Sequence, residues 1–197
     1  MELYLIRHGE SESNAADTHA GWAPVNLTEL GRQQAARTAK MLEGVDFDLI
    51  YVSDVKRAQQ TARILFGDKP FEYCTMIREM NNTAMRGKGR EEMTELFPEL
   101  YPECRRRFDY APLGWDCESG AHLLARAGEF LEFMSHKEFK RAAVVCHAGF
   151  IRACAASALG MTTHNPPLTC RNASVSVLTY RNGSWRLKLW DATDEWP

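Results

Sequence analysis

The sequence has no paired-cysteine motif and no long apolar run. Its six cysteines are scattered without any Cys-x-x-Cys pair, which argues against a zinc cage or a disulfide framework and indicates reduced thiols. No apolar segment approaches membrane-spanning length. Residues 1–6 lack the basic flank and the apolar stretch of a signal peptide. We therefore expect a cytoplasmic protein with no membrane partner.

An excess of charge of one sign is also missing. The chain has 24 Lys and Arg against 26 Asp and Glu, a formal net charge of -2. Without a basic excess or interleaved aromatic residues, the sequence predicts no nucleic-acid partner. No His-x-x-x-His or similar ligand spacing occurs, so we also expect no metal and no cofactor.

The order of apolar patterns predicts the fold class. The 197 residues suffice for one large core, and we predict a single domain over 1–197. The predicted strands span 3–6, 49–52, 71–74 and 142–146, and a predicted hairpin pairs 174–180 with 184–190. The predicted helices run from Thr28 to near Gly44, from after 53–54 to about Phe66, from Ser119 to about Met134, and from after Gly149 to before Pro166. This alternation predicts a three-layer α/β fold, with a mostly parallel central sheet, helices on both faces and an antiparallel C-terminal edge strand.

One segment departs from this alternation. Residues from about 81 to 118 lose clear periodicity and collect glycines and prolines. An irregular stretch of this length in a compact domain is often a functional lid or binding insertion. We therefore predict a substrate-lid insertion around 81–118.

Two histidines occupy equivalent places. His8 and His147 each directly follow an apolar strand pattern, and each is followed within two residues by glycine. In an open parallel sheet, ligands bind at the carboxyl ends of the strands, and glycines allow close backbone approach. Arg7 and Arg57 supply guanidinium groups whose geometry suits phosphate oxygens. The pattern predicts a pocket for a phosphate dianion.

Several further motifs occur in a defined order. They are Leu-Ile-Arg-His-Gly-Glu at 5–10, Gly-Trp at 21–22, Leu-Thr-Glu-Leu-Gly at 27–31, Ser-Asp-Val-Lys-Arg-Ala at 53–58, Ile-Arg-Glu at 77–79, Cys-Glu-Ser at 117–119, Val-Cys-His-Ala-Gly at 145–149 and Asn-Ala-Ser-Val at 172–175. Together they resemble the histidine phosphatase superfamily, the phosphoglycerate mutase-like proteins, over almost the whole chain. The resemblance implies metal-independent phosphoryl transfer through a phosphohistidine.

Carried over by position, the resemblance implies that His8 is the nucleophile and Glu79 the general acid and base. The attacking nitrogen of His8 must be neutral, and a hydrogen bond from its other ring nitrogen to a carbonyl would select that tautomer. Nearby arginines would disfavour the imidazolium form. The implied phosphate-binding residues are Arg7, Asn14, Gly21, Arg57 and His147, of which Arg7, Arg57 and His147 also count as catalytic.

Two departures concern the pocket. Phosphatase-type relatives usually continue after the acid motif with Phe-Gly-x-Trp-Glu-Gly, where this chain has Asn-Thr-Ala-Met-Arg-Gly at 82–87. Residues 147–149 read His-Ala-Gly in place of the commoner His-Gly-Gly. The first departure makes the pocket wall unusual and leaves the substrate open.

The resulting functional prediction is a phosphomonoester hydrolase acting on a small phosphorylated metabolite. Phosphoglycerate mutase-type transfer is the first alternative, disfavoured because mutases resembling this chain carry a longer insertion after the acid motif. A catalytically impaired phospho-ligand-binding protein is the second. The sequence leaves the oligomeric state open.

Other basic residues receive weaker interpretations. Four histidines lack a partner pattern and are predicted to be solvated: His19, His122, His136 and His164. Arg86, Lys88 and Arg90 indicate either a basic wall for an acidic substrate or a solvated loop, and Arg105–Arg107 indicates a helix surface.

Overall fold

A six-stranded sheet forms the centre of the computed structural model, which describes residues 1–194. The strands are β1 (Glu2–Arg7), β2 (Leu49–Val52), β3 (Glu72–Tyr73), β4 (Arg141–Cys146), β5 (Val175–Arg181) and β6 (Ser184–Ala192). They lie in the order β3-β2-β4-β1-β5-β6. The first four run parallel to one another, whereas β5 and β6 are antiparallel. The predicted fold class, with its antiparallel C-terminal edge, is confirmed.

Seven α-helices surround the sheet within residues 1–194. They are α1 (Glu12–Ala15), α2 (Glu29–Met41), α3 (Lys56–Phe66), α4 (Arg90–Leu96), α5 (Leu100–Arg107), α6 (Gly120–Ser135) and α7 (Ala148–Ala158). The predicted N-caps of α2 and α6 are confirmed, because Thr28 Oγ1 accepts from the Gly31 N–H at 3.0 Å and Ser119 Oγ accepts from the His122 N–H at 3.2 Å. Within residues 1–194, no helix combines the length and the apolar composition needed to span a membrane.

The central strands bury side chains on both faces. On one face Leu3 and Leu5 join Val144 in the larger core cluster, which also contains apolar residues of α6 and α7. On the other face Ile6 and Val145 join a second cluster with residues of α3. Helix α2 packs against α3 on this face. Helices therefore cover both faces, as predicted. Burying one leucine or isoleucine side chain contributes about 1.5–3 kcal/mol.

The hairpin follows from local chemistry. Asn182 and Gly183 form its two-residue turn, with φ angles of 51° and 77°. Two successive positive φ angles define a type I′ turn, which suits the right-handed twist of the flanking strands. The predicted hairpin is confirmed, and its second strand extends two residues further than predicted, to Ala192.

Other elements differ in extent from the sequence prediction. Strand β3 has two residues rather than four because it pairs only with β2, through Tyr51 and Val52. Helix α7 stops before Pro166, as predicted, and its last residue is Ala158. The segment around 81–118 is not irregular throughout, since it contains α4, α5 and two short 3₁₀ turns. These helices have seven and eight residues, too few turns for a clear periodic pattern. A lid function for this segment stays a prediction.

We expect Leu5→Ala to lower the free energy of unfolding by about 2–5 kcal/mol, because Leu5 is completely buried in β1 and truncation would leave a cavity. Urea denaturation monitored by circular dichroism measures the change. Leu30→Ala is the matched control, since Leu30 in α2 is 45% exposed and its truncation should change stability by less than about 0.5 kcal/mol. Equal losses in the two variants would contradict the assigned core.

Candidate active site

The strand register brings the two predicted histidines together. Arg7 lies opposite Cys146 in the β1–β4 pair, so the next residues, His8 and His147, leave neighbouring parallel strands at the same level. Their ring centroids are 5.2 Å apart. Two imidazoles that are far apart in sequence thus lie side by side at the carboxyl edge of the sheet, where open α/β sheets bind ligands.

The tautomer of His8 follows from its contacts. Its Nδ1 lies 2.7 Å from the carbonyl oxygen of Gly9. A carbonyl only accepts, so Nδ1 carries the proton and Nε2 keeps its lone pair. The Nε–H of Arg57 donates to that Nε2 at 3.1 Å. Burial, and then the positive charges of Arg57 and Arg7, hold the pKa of His8 well below its usual range. The ring is therefore neutral, with an unprotonated acceptor nitrogen at Nε2, and its role as the nucleophile stays a prediction.

Arg57 connects the parts of the site. It extends from the first turn of α3 and is almost fully buried. Its Nε–H contacts His8. Its Nη2 donates to the carbonyl oxygen of Gly21 at 2.9 Å and to Nδ1 of His147 at 3.2 Å. Burial lowers the pKa of this guanidinium to about 10, so it stays cationic at neutral pH. Its Nη1 is buried with no hydrogen-bond partner among the described residues, which leaves one donor for an anion.

His147 is held from both sides. Because Arg57 donates to Nδ1, the ring proton lies on Nε2, which donates to Ser53 Oγ at 2.9 Å. Burial, followed by the charge of Arg57, holds the pKa of His147 well below its usual range. The side chain is completely buried and lies behind Arg57. Direct contact between His147 and a phosphate stays a prediction.

The second arginine lies across the pocket. Arg7 Nη1 donates to the carbonyl oxygen of Cys170 at 2.5 Å, whereas its Nε is buried without a partner among residues 1–194. Burial lowers the pKa of the Arg7 guanidinium. Like Arg57, Arg7 has an N–H donor without a partner. Among residues 1–194, no carboxylate is hydrogen-bonded to the Arg7 guanidinium. Two such donors fit a bound phosphate dianion.

Glu79 is positioned by two backbone amides. Its Oε1 accepts from the N–H of Met80 at 2.9 Å, and its Oε2 accepts from the N–H of Gly149 at 3.1 Å. Gly149 lies in the first turn of α7, where backbone N–H groups have no partner inside the helix. A side chain at 149 has no space, since a Cβ would lie 2.3 Å from Glu79 Oε1. The glycine therefore permits the position of the carboxylate.

Asn14 and Gly21 have different places in the site. Asn14 is exposed beside the pocket, and its Oδ1 accepts from Asn172 Nδ2 at 3.2 Å, which leaves the Asn14 amide nitrogen as the group that a phosphate oxygen would meet. Gly21 has a φ of +51°, and a Cβ there would lie 2.6 Å from the backbone nitrogen of Thr83. Its carbonyl orients Arg57, so Gly21 acts through its backbone.

These groups line a cavity of about 250 Å³. Sequence-predicted residues on its wall are Arg7, His8, Asn14, Gly21, Arg57 and Glu79. Asn82 lies on this wall too, within the 82–87 stretch that the sequence indicated as an unusual pocket wall. The sequence interpretation missed Ser13, Thr18, His19, Phe108 and Arg152. A spacing signal existed for Arg152, which is four residues after Ala148 and therefore shares its helix face. No local pattern could indicate Phe108, which reaches the site from the segment around 81–118.

The prediction that His19 is solvated is wrong. Its Nε2 lies 2.8 Å from the hydroxyl of Tyr101, and its Nδ1 lies 3.2 Å from the amide nitrogen of Asn82. Burial lowers the pKa of His19 to about 4. His164 is also half-buried, with its Nε2 donating to the Phe108 carbonyl at 3.0 Å. Partners in the 81–118 segment, far away in the sequence, explain both errors.

No group of three or more His, Cys, Asp and Glu side chains in residues 1–194 could hold a metal ion. The two histidines of the site contact an arginine, which is not a metal ligand.

A mostly parallel α/β sheet with buried imidazoles and guanidiniums at its carboxyl edge defines a class of anion-binding, phosphoryl-handling proteins. Within that class, this chain belongs to the histidine phosphatase superfamily, branch 1, whose sequence profile matches residues 3–193. The family resemblance predicted from the ordered motifs is thereby confirmed.

Individual relatives include two kinds of enzyme. The adenosylcobalamin/alpha-ribazole phosphatase of Escherichia coli is 29% identical over 164 residues, covering 82% of this chain and 80% of that protein. The 2,3-bisphosphoglycerate-dependent phosphoglycerate mutase of Streptococcus uberis is 36% identical over 132 residues, covering 62% of this chain. The match spans only 57% of the length of that mutase.

A solved structure extends the likeness to the whole fold. The structure of mycobacterial glucosyl-3-phosphoglycerate phosphatase superposes with a TM-score of 0.86 at 28% sequence identity. The superposition covers 98% of this chain and 99% of the mycobacterial one. The similarity therefore includes the segment around 81–118 as well as the sheet.

We expect the His8 and His147 rings to remain neutral at pH 6, since the pKa of each lies well below its usual range. Long-range ¹H–¹⁵N spectra should show His8 protonated at Nδ1 and unprotonated at Nε2. The unfolded chain binds protons below about pH 6.5 that the folded rings exclude, so the free energy of unfolding should fall as pH drops below that value. Imidazolium shifts from both rings at pH 6 would contradict this expectation.

Proposed function

We propose that this protein hydrolyses phosphomonoesters of small metabolites through a metal-independent phosphohistidine intermediate at His8. The observation that carries the proposal is the contact of one buried arginine, Arg57, with both His8 Nε2 and His147 Nδ1. The same guanidinium keeps an unpaired Nη1 donor beside the nucleophile. Phosphoryl transfer requires a nucleophile and a group that neutralises the charge of the phosphate. Here His8 and Arg57 are in direct contact.

In the first step, the phosphate would bind between Arg7, Arg57 and the amide nitrogen of Asn14. The Nε–H of Arg57, which donates to His8 Nε2 in the free protein, turns to the phosphoryl oxygens, and the freed lone pair of Nε2 attacks phosphorus as the bond to the leaving oxygen breaks. Glu79, entering this step protonated, gives its proton to that oxygen, and the alcohol departs. The Nδ1–H bond to the Gly9 carbonyl keeps the ring oriented while positive charge develops on it.

In the second step, water replaces the alcohol. Glu79, now a carboxylate, accepts a proton from the water as its oxygen attacks phosphorus and the P–N bond breaks. Inorganic phosphate leaves, and His8 returns to its neutral form. Arg7 and Arg57 stabilise charge on the phosphoryl oxygens in both steps, which is the largest contribution expected from the protein in such reactions.

The relatives support hydrolysis of small-molecule esters. Alpha-ribazole phosphatase and glucosyl-3-phosphoglycerate phosphatase are named for such substrates, and both match most of this chain. We propose the cytoplasm as its location, in keeping with six cysteines that are all free thiols.

Mutase activity is the second candidate. The 36% identity with the streptococcal mutase favours it. The same comparison argues against it, since the match spans only 57% of the mutase. A phospho-ligand-binding protein without turnover is the third possibility, kept open by the altered wall at 82–87.

We expect His8→Ala to reduce the hydrolysis of p-nitrophenyl phosphate to background, because the phosphoryl acceptor is lost. Activity of the unaltered protein should persist in excess chelator. Brief reaction with ³²P-labelled substrate should label it with an acid-labile, alkali-stable phosphoryl group, and the variant should stay unlabelled.

His136→Ala is the matched control, since His136 is exposed and bonds only within its own helix end. Full activity of His8→Ala would overturn the mechanism. Strong dependence of 3-phosphoglycerate isomerisation on added 2,3-bisphosphoglycerate would select the mutase instead. Phosphate binding without turnover of any ester would select the binding protein.

We expect Gly149→Ala to lower kcat/KM for glycerol 3-phosphate by about 10- to 100-fold, a share of what general acid catalysis contributes. A Cβ at 149 would lie 2.3 Å from Glu79 Oε1 and 2.5 Å from Phe108 Cε1, so the carboxylate must move. The loss should be smaller with p-nitrophenyl phosphate, whose leaving group needs no proton.

Gly128→Ala in α6 is the control for helix propensity, since its Cβ would meet only Ser157 Oγ, at 3.3 Å. It should keep full activity and gain up to about 1 kcal/mol of stability. Equal losses on both esters in Gly149→Ala would show that Glu79 is not the proton donor.

A further inference from the structure

A second, larger cavity continues outward from the catalytic one. It has a volume of about 510 Å³ and shares wall residues with the inner cavity, among them Arg7, His19, Phe108 and Arg152. Its outer wall comes from the 81–118 segment, through Arg90, Tyr101, Arg105 and Tyr110. A phosphate held beside His8 would direct the rest of its substrate into this space.

Arg152 stands where the two cavities join. It lies one turn after Ala148 in α7, and its guanidinium carbon is 5.1 Å from the centroid of the Phe108 ring. No carboxylate among residues 1–194 pairs with it, and its Nε is buried without a hydrogen-bond partner. Its charge also helps to lower the pKa of neighbouring Arg7. Two adjacent guanidiniums without a counter-charge favour an anion between or beside them.

The charges of the outer cavity are also unbalanced. Among residues 1–194, Asp17 is the only acidic residue on its wall, and it pairs with Arg90 at 2.7 Å. In the arginine triplet of α5, Arg106 and Arg107 pair with Glu103. Arg105 instead lies on the cavity wall. The space next to Arg152 therefore carries a positive potential that a neutral alcohol would not use.

Tyr101 supplies a neutral donor to the same space. The amide nitrogen of Asn82 donates to His19 Nδ1, so the ring proton of His19 lies on Nε2. That Nε2–H donates to the Tyr101 oxygen at 2.8 Å. The hydroxyl hydrogen of Tyr101 is then free to donate elsewhere. Tyr101 is almost fully buried, so the relay holds this donor in a defined position.

We propose that Arg152, together with the Tyr101 hydroxyl, binds a second anionic group, a carboxylate or a phosphate, on the leaving alcohol of the substrate. The assignment rests on the proposed function, which places the first phosphate at His8. It makes Arg152 and Tyr101 specificity-determining residues, and it narrows the substrates to phosphomonoesters that carry a further negative charge. The rival explanation is that Arg152 only packs against Phe108 and holds the 81–118 segment in place.

The test compares esters that differ in one charged group. One pair is 3-phosphoglycerate with glycerol 3-phosphate, and the other is 1,3-propanediol bisphosphate with 3-hydroxypropyl phosphate. We expect the charged member of at least one pair to have the higher kcat/KM by about 10- to 100-fold, the effect of a charge-assisted hydrogen bond. The pair that shows the preference identifies the second anion as carboxylate or phosphate.

Arg152→Gln should remove most of that preference, and Tyr101→Phe should reduce it by about 5-fold, the effect of one neutral hydrogen bond. Arg106→Gln, which removes an exposed arginine that pairs with Glu103, should leave it unchanged. A ratio of two esters cancels losses from imperfect folding, so a purely structural Arg152 would lower both rates together.

Equal rates within both pairs for the unaltered protein, or an unchanged preference in Arg152→Gln, would overturn the subsite. If the unaltered protein hydrolyses none of these esters and no p-nitrophenyl phosphate, the proposed function fails. Calorimetric affinities for the same two pairs then decide the subsite separately: tighter binding of a charged member that depends on Arg152 supports it, and equal binding refutes it.

Discussion

The candidate site depends on one buried cation. Arg57 donates to His8, His147 and the carbonyl of Gly21, and none of these partners carries a negative charge. A buried guanidinium without a counter-charge is unfavourable. The folded protein tolerates it because three acceptors bind its N–H groups and Glu79 lies near enough to favour the charged form. A bound phosphate dianion would supply the missing negative charge. Binding of that ligand would therefore stabilise the folded protein through Arg57.

The sheet explains why Arg57 meets both histidines. Parallel pairing aligns the ends of β1, β4 and β2, with Arg7 opposite Cys146 and Val52 opposite Val145. The residue after each strand therefore reaches the same edge, and the crossover after β2 starts the helix that carries Arg57. A shift of one residue in the register of β1 would turn His8 to the other face of the sheet and separate it from His147. The hydrophobic pattern of β1 thus specifies the catalytic geometry.

This dependence also sets what could be predicted from sequence. Strands, N-caps and the type I′ turn have local patterns, so the fold class, the caps at Thr28 and Ser119 and the hairpin were predictable. His8 and Arg57 follow strands or begin helices within motifs, which made their convergence predictable too. The neighbours of His19 were not, because Tyr101 and Asn82 lie more than 60 residues away, in α5 and in the loop before α4. The short helices α4 and α5 escaped for a related reason: seven or eight residues are stabilised by tertiary packing rather than by their own periodicity.

Chemistry and selectivity therefore come from different kinds of structure. His8 and His147 follow the central strands β1 and β4, where pairing on both sides restricts movement. The walls that would meet the leaving alcohol come from Arg152 of α7 and from the 81–118 segment, which reaches the site through Phe108. That residue adopts a left-handed φ of 55° at the end of α5, an unfavourable conformation for a non-glycine side chain. Its carbonyl bonds to His164 and its ring lies against Gly149, so packing on α7 offsets the strain. Changes in this segment can alter substrate choice while the strand ends keep the phosphoryl-transfer geometry.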